Sequence, residues 1–404
     1  MELHDKLGCE TAALMLKYVD LDRLFGNKLD VYKGKKHVID TVNIFINFES
    51  LYNTIRKKNY ERYLESGTKK EVKAIYRHAI SEFINTAAHY REYFNRHKIA
   101  TNIFYYYNEL SQEYIDYNNC AMVPGYREHF IESTTAMDRY VINGLIADSI
   151  PFMEIITEYI DGMYMVGSKR VEASCIPFII LMENKFPANM NIVITKDPYD
   201  YQYVNMNCLV ITKHLMDPVI LTKRNVMKFL RFKYDIPEER DVDGKKIPTP
   251  EISPYLLPFI YAVLGDKKRS IPGIKKQYGP KKLYRDLVKL YEVGYIFDEE
   301  PETMSCSNLC RVLSGGDGIS TFRDDKGELA DMLGRYYRCF DIPYQVEVAS
   351  KDQIKHIMSS LKNKYDDQGL RDINDKYFDE FPLRLMELTR YNPKRDTALL
   401  NAME

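Results

Sequence analysis

Four short apolar runs mark the first half of the chain: Val42–Ile46, Ile103–Tyr107, Ile192–Thr195 and Cys208–Thr212. Each is too short for a buried helix and rich in β-branched or aromatic side chains. Such runs predict strands covered on both faces of a sheet. Between the first two, residues 70–97 place apolar side chains at helical spacing and predict one long amphipathic helix. Strands alternating with helices as far as residue 215 predict a parallel α/β sheet flanked by helices.

Other segments follow different patterns. Residues 1–36 read as a helical lead-in ending at Gly34, and 109–133 as a polar, tyrosine-rich loop or arch. Residues 236–254 are charged and proline-rich, as a connection between lobes would be. Beyond them the chain reads as mostly helical: 255–263, 282–290 and 325–395, with a loop at 295–320 around Ser314–Gly318. The division this predicts is a helical extension (1–36), an α/β domain (37–235), a helical lobe (255–350) and a helical C-terminal extension (351–404).

Composition excludes several classes. The 404 residues are 45% hydrophobic and 28% charged, as in a globular protein that folds in water. No stretch approaches the roughly twenty apolar residues of a membrane span, and the N-terminus lacks a secretion signal. Seven scattered cysteines include no Cys-x-x-Cys; the closest pair, Cys306 and Cys310, has no histidine cluster beside it. Reduced thiols in a cytoplasmic protein, free or inside a virus particle, are the expectation. The 33 tyrosines, in a chain without tryptophan, are expected to pack the core more than to stack on bases. A formal charge of −1 rules out coating of nucleic acid by bulk attraction, so any such binding must come from a local patch.

One patch stands out. The segment Leu264–Ile274, followed by Tyr278–Lys282, has glycines at its bends and seven basic residues between Lys267 and Lys282, with no acidic one. Lys267, Lys268, Lys275, Lys276, Lys281 and Lys282 would supply counter-charge. Backbone N–H groups near Gly273 and Gly279 suit a phosphate or a bound monovalent ion such as K⁺. Arg91, Arg96, Tyr126 and Arg127 are further candidates to line the arch.

Five segments in one order resemble the 5′→3′ exonuclease and flap endonuclease family. Ile46-Asn-Phe-Glu-Ser-Leu51 stands where that family has Ile-Asp-Gly-Asn-x-Leu, and Ile103–Asn108 matches a strand ending in Phe-Asp. Glu172-Ala-Ser-Cys175 corresponds to Glu-Ala-Asp-Asp, and Thr195–Val204 to Ser-Gly-Asp-x-Asp followed by Gln-Leu-Val. Leu264–Gly273 with Gly279-Pro-Lys281 matches the family's helix–three-turn–helix, and 330–343 is similar to its tail. The resemblance covers roughly residues 40–350 and implies a PIN-like fold, DNA selected by structure more than by sequence, and Mg²⁺ or Mn²⁺ if the chain is active. Ile44–Tyr52 also suits PIN-like ribonucleases, but these lack the double turn.

The departures bear on chemistry. The family hydrolyses phosphodiesters with two divalent cations held by a carboxylate cluster. Here Asn47 and Asn108 replace the two strand aspartates, Ser174 and Cys175 the helix aspartates, Tyr199 an aspartate of the next motif, and Arg269 one of the turn. Glu172, Asp197 and Asp266 remain. Hard cations need anionic oxygens, and neutral amides substitute poorly. The resemblance therefore implies a pseudo-nuclease that binds nucleic acid and needs no metal. The alternatives are an active 5′→3′ exonuclease, flap endonuclease or RNA-primer-removing nuclease with a rearranged site drawing on Glu49, Asp200, Asp241 or Asp243, or a scaffold protein of a phage particle or replication assembly. Glu49 and Asp200 are otherwise expected to be solvated charges.

Overall fold

The computed structural model describes residues 40–48, 69–108, 123, 149–169, 171–214, 217–242, 244–267, 269–274, 278–292, 328–364 and 366–377. The expected lead-in helix (1–36), the arch apart from Val123, the loop 295–320 and the chain beyond residue 377 lie outside the described residues. So do Glu49, Tyr126, Arg127, Asp243, Lys268, Lys275 and Lys276.

The sheet has six strands: β1 (Thr41–Asn47), β2 (Ala100–Asn108), β3 (Met163–Ser168), β4 (Met190–Ile194), β5 (Cys208–His214) and β6 (Asp217–Leu221). Their spatial order is β3-β2-β1-β4-β5-β6. Five strands run parallel, and β6 closes one edge antiparallel to β5. The sheet is thus mixed, where the sequence pattern predicted a parallel one. Alternation sorts the side chains. On β1, Val42, Ile44 and Ile46 face one core with helix α1 (Lys69–Arg96), whereas Phe45 faces the other.

A polar ladder pins the register across three strands. Asn102 Nδ2 donates to Asn43 Oδ1 at 2.9 Å, and Asn43 Nδ2 donates to Asn191 Oδ1 at 3.0 Å. These residues sit opposite one another in the strand pairing, so a one-residue slip would break both bonds and bury unpaired amides.

Helix α1 returns to the amino-terminal ends of the strands and sets Arg91 and Arg96 there. Arg91 is fully buried at that end, with Nε donating to Thr101 Oγ1 (3.1 Å) and Nη1 to the Asp161 carbonyl (2.7 Å). Arg96 is exposed in the last turn, its guanidinium 5.8 Å from the Tyr93 ring.

The second face of the sheet is covered by α2 (Ile176–Met182), α3 (Val226–Lys233), α4 (Leu257–Leu264), α5 (Pro280–Glu292), α6 (Glu328–Phe340), α7 (Ile342–Glu347) and α8 (Lys351–Ser359). A last helix, α9, spans Asp367–Tyr377. The proline-rich connection holds a hairpin, β7 (Glu239–Val242) and β8 (Lys245–Pro248). Among the described residues no helix is long and apolar enough to cross a membrane.

Candidate functional site: a carboxylate cluster closed by a guanidinium

The strand order reverses between β1 and β4, since β2 and β3 lie on one side and β5 on the other. At such a switch point the loops leaving the carboxyl ends of the strands diverge and open a crevice. The chain places its polar residues there. Asn47 ends β1, Asn108 ends β2, and Thr195 follows β4. By strand parity Asn47, Tyr106, Asn108 and Thr195 point to the same face as Phe45 and Phe104.

Two linked networks fill the crevice. In the first, Asp200 Oδ2 accepts hydrogen bonds from Asn47 Nδ2 (3.0 Å), the Tyr106 hydroxyl (2.9 Å) and the Thr195 hydroxyl (2.5 Å). Asp200 has no exposed surface. Burial, and next the charge of Asp197, push its carboxyl up to about 6, although bonds from Ser174, Thr195 and Asn47 pull the other way. The expectation that Asp200 is a solvated charge is therefore wrong. Pro198 opens a 3₁₀ helix, Pro198–Met206, and its first turn carries Asp200 inward.

In the second network Arg269 is the hub. Its Nη2 lies 3.2 Å from Glu172 Oε1 and 3.0 Å from Asp197 Oδ2, and its Nη1 lies 2.7 Å from Asp266 Oδ2. The guanidinium is fully buried and stands 4.3 Å above the Tyr199 ring. Tyr199 and Arg269, two departures from the nuclease motif, thus fit one another as cation and aromatic platform. One guanidinium does not neutralise three carboxylates. Asp197 also accepts from the Tyr199 N–H (3.1 Å), Asp266 keeps about a quarter of its side chain in solvent, and the Lys233 ammonium acts on Asp197.

The remaining positions brace the walls. Asn108 Oδ1 accepts from the Ala173 N–H at 2.8 Å, which fixes the turn carrying Glu172 and Ser174. The Tyr203 hydroxyl donates to the Ser174 carbonyl at 2.5 Å. Cys175 is buried; that burial, with Glu172 nearby, holds its thiol well above the usual range. Asn47, Asn108, Glu172, Ser174, Cys175, Asp197, Tyr199, Asp266 and Arg269 therefore meet around one centre. Tyr106 and Thr195 were not among the candidate site residues, and Asp200 was named only for a rearranged metal site. The shared face of Tyr106, Asn47 and Asn108 was the available signal for the first.

A pair of hydrated divalent ions does not fit these residues. The carboxylates that would ligate them converge on a guanidinium, and the neighbouring strand ends carry amides. Among the described residues no group of three or more His, Cys, Asp or Glu side chains is arranged to hold a metal ion.

The turn that delivers Arg269 is tightly built. Asp266 and Ile271 bridge through paired backbone bonds of 2.8 and 3.0 Å, and the Ile274 N–H donates to the Val263 carbonyl at 3.1 Å. Gly265 adopts φ +75°, and a Cβ there would stand 2.4 Å from the Gly273 nitrogen. Gly273 in turn packs against the Leu264 carbonyl, whereas Gly279 faces open space at the start of α5. Lys267 and Lys281 are exposed; Lys281 Nζ pairs with Asp235 at 2.6 Å, and Lys282 leans over the Tyr278 ring at 5.4 Å.

No family model matches the chain, and no curated protein matches it by sequence. Solved structures do. Bacteriophage T5 5′-exonuclease with bound zinc ions superposes with a TM-score of 0.51 at 12% identity, over 79% of this chain and 98% of the exonuclease. A pseudo-enzyme form of bacteriophage T5 flap endonuclease, in a product complex with DNA and metal ions, gives the same TM-score, identity and coverage. At that identity the likeness is one of architecture: the chain has the PIN-like fold of the phage 5′-exonuclease and flap endonuclease.

Proposed function

We propose that this chain is a pseudo-nuclease: it grips nucleic acid, DNA duplex or junction, and does not cleave it with metal ions. One observation carries the reading, the burial of the Arg269 guanidinium among Glu172, Asp197 and Asp266. A cation there opposes a divalent ion by charge and by occupancy at once. The flap endonuclease pseudo-enzyme among the structural neighbours carries a lysine in place of one aspartate and is held with DNA and metal ions. The open face of Gly279 and the exposed Lys267 and Lys281 support a phosphate-gripping role for the turn, sequence-independent and weakened by salt. The pairing of Lys281 with Asp235 is solvent-exposed and exchangeable for a phosphate.

A second reading has one observation in its favour. Asp200 lies one position beyond Tyr199, buried beside Asp197, so a rearranged site could draw on Glu172, Asp197, Asp200 and Asp266. Incubation with flapped, nicked, gapped and RNA-primed duplexes in Mg²⁺ or Mn²⁺ separates the two. The expected result is salt-sensitive binding that weakens when Lys267, Lys281 and Lys282 are changed to Glu, with no cleavage. Cleavage abolished by Asp197→Ala would establish the second reading, and unchanged affinity of the triple variant would remove the proposed grip.

A further inference from the structure

We infer that Arg269 is the resident cation of this fold: it does with a side chain what bound metal would do for the carboxylate cluster. It ties the sheet to the helical turn, and it closes a cation site that its removal would open. The connectivity supports this. Glu172 belongs to the turn after β3, Asp197 to the segment after β4, and Asp266 to the turn after α4, so three separate stretches of chain meet on one guanidinium. Other contacts join the same parts. The Tyr261 hydroxyl donates to the Pro198 carbonyl at 2.6 Å, and the Phe340 ring packs near both Tyr199 and Tyr261.

Charge supplies the second half. Around the centre stand Glu172, Asp197, Asp200 and Asp266, and the cationic side chains acting on them include Arg269 and Lys233. Taking Arg269 away leaves buried carboxylates facing one another with their polar walls intact: Asn47, Thr195 and Tyr106 on Asp200, and the Tyr199 N–H on Asp197. Such a pocket is destabilised by its own repulsion and gains most from a divalent ion of small radius. Asp266, partly open to solvent, marks the side from which an ion would enter.

The test uses the full chain without nucleic acid, so its outcome is independent of whether the turn grips DNA. Wild type, Arg269→Ala and Arg269→Asp are refolded from denaturant and melted in EDTA or in millimolar Mn²⁺. Wild type is expected to melt at the same temperature in both. In EDTA the variants are expected to lose roughly 10 °C or fail to refold, as follows from stranding a buried charge. Mn²⁺ is expected to restore about 5 °C or to rescue refolding, the scale of saturating binding to the native state alone. Titration calorimetry should show Mn²⁺ uptake by Arg269→Asp only in its folded form. Variants that behave identically in EDTA and Mn²⁺, folded or not, overturn the inference; so does a Mn²⁺-dependent rise in the wild type.

Discussion

A carboxyl group without exposed surface, set beside a second carboxylate, keeps its proton to unusually high pH. Asp200 is such a group, with its titration raised to about 6 from 3.8. Below both values the native and unfolded chains are equally protonated there, and stability is unaffected. As pH rises, the unfolded side chain ionises first while the native one still holds its proton, so this group makes stability fall until about pH 6. The loss is about 3 kcal/mol for a shift of this size. Asp341 is raised to about 6 by its own burial and titrates in the same window. The informative quantity is therefore the difference in unfolding free energy between wild type and Asp200→Asn, followed from pH 3.5 to 7. That difference should change by the stated amount, and a flat one would refute the assigned environment. The site positions that sequence named, from Asn47 to Arg269, were legible because motif order fixed them. Asp200 was not, because nothing in its neighbours states that the 3₁₀ turn after Asp197 carries the third residue inward.

At the scale of elements, four strands and the long helix were legible from apolar runs and helical spacing, with ends shifted by no more than three residues. Two strands were not. β3, Met-Tyr-Met-Val-Gly-Ser, has one β-branched residue and a glycine, and burial rather than propensity holds it in the sheet. β6 opens with Asp217-Pro218, which argues against a central strand but is tolerated at the antiparallel edge where it sits. The hairpin β7–β8 was hidden for a similar reason, since prolines and charges read as connection. The turn 264–274 was the most legible element, and its tightness gives a direct test. Gly265→Ala forces a side chain onto φ +75° and a Cβ against the backbone at 2.4 Å from Gly273. The expected cost is about 3 kcal/mol or more, read as a lower Tm together with weaker DNA binding. Retention of both would mean that the two arms of the turn part easily.

At the scale of the whole molecule, the order of weak motifs carried more information than any one of them. The sheet keeps a switch point with polar strand ends, the helical region keeps a glycine turn beside exposed lysines, and the two parts share a buried ion-pair hub. In the proposed reading, loss of strand aspartates and gain of Arg269 are one change seen from two sides. Removing anionic ligands alone would leave a weak metal site, and adding a cation to an intact one would strand charge. Anomalous scattering from crystals soaked in Mn²⁺ tests the guanidinium-closed centre most directly. No ion among Glu172, Asp197 and Asp266, with Arg269 in place, is the expected result. A Mn²⁺ ion bridging those acids, with Arg269 displaced from them, would contradict it.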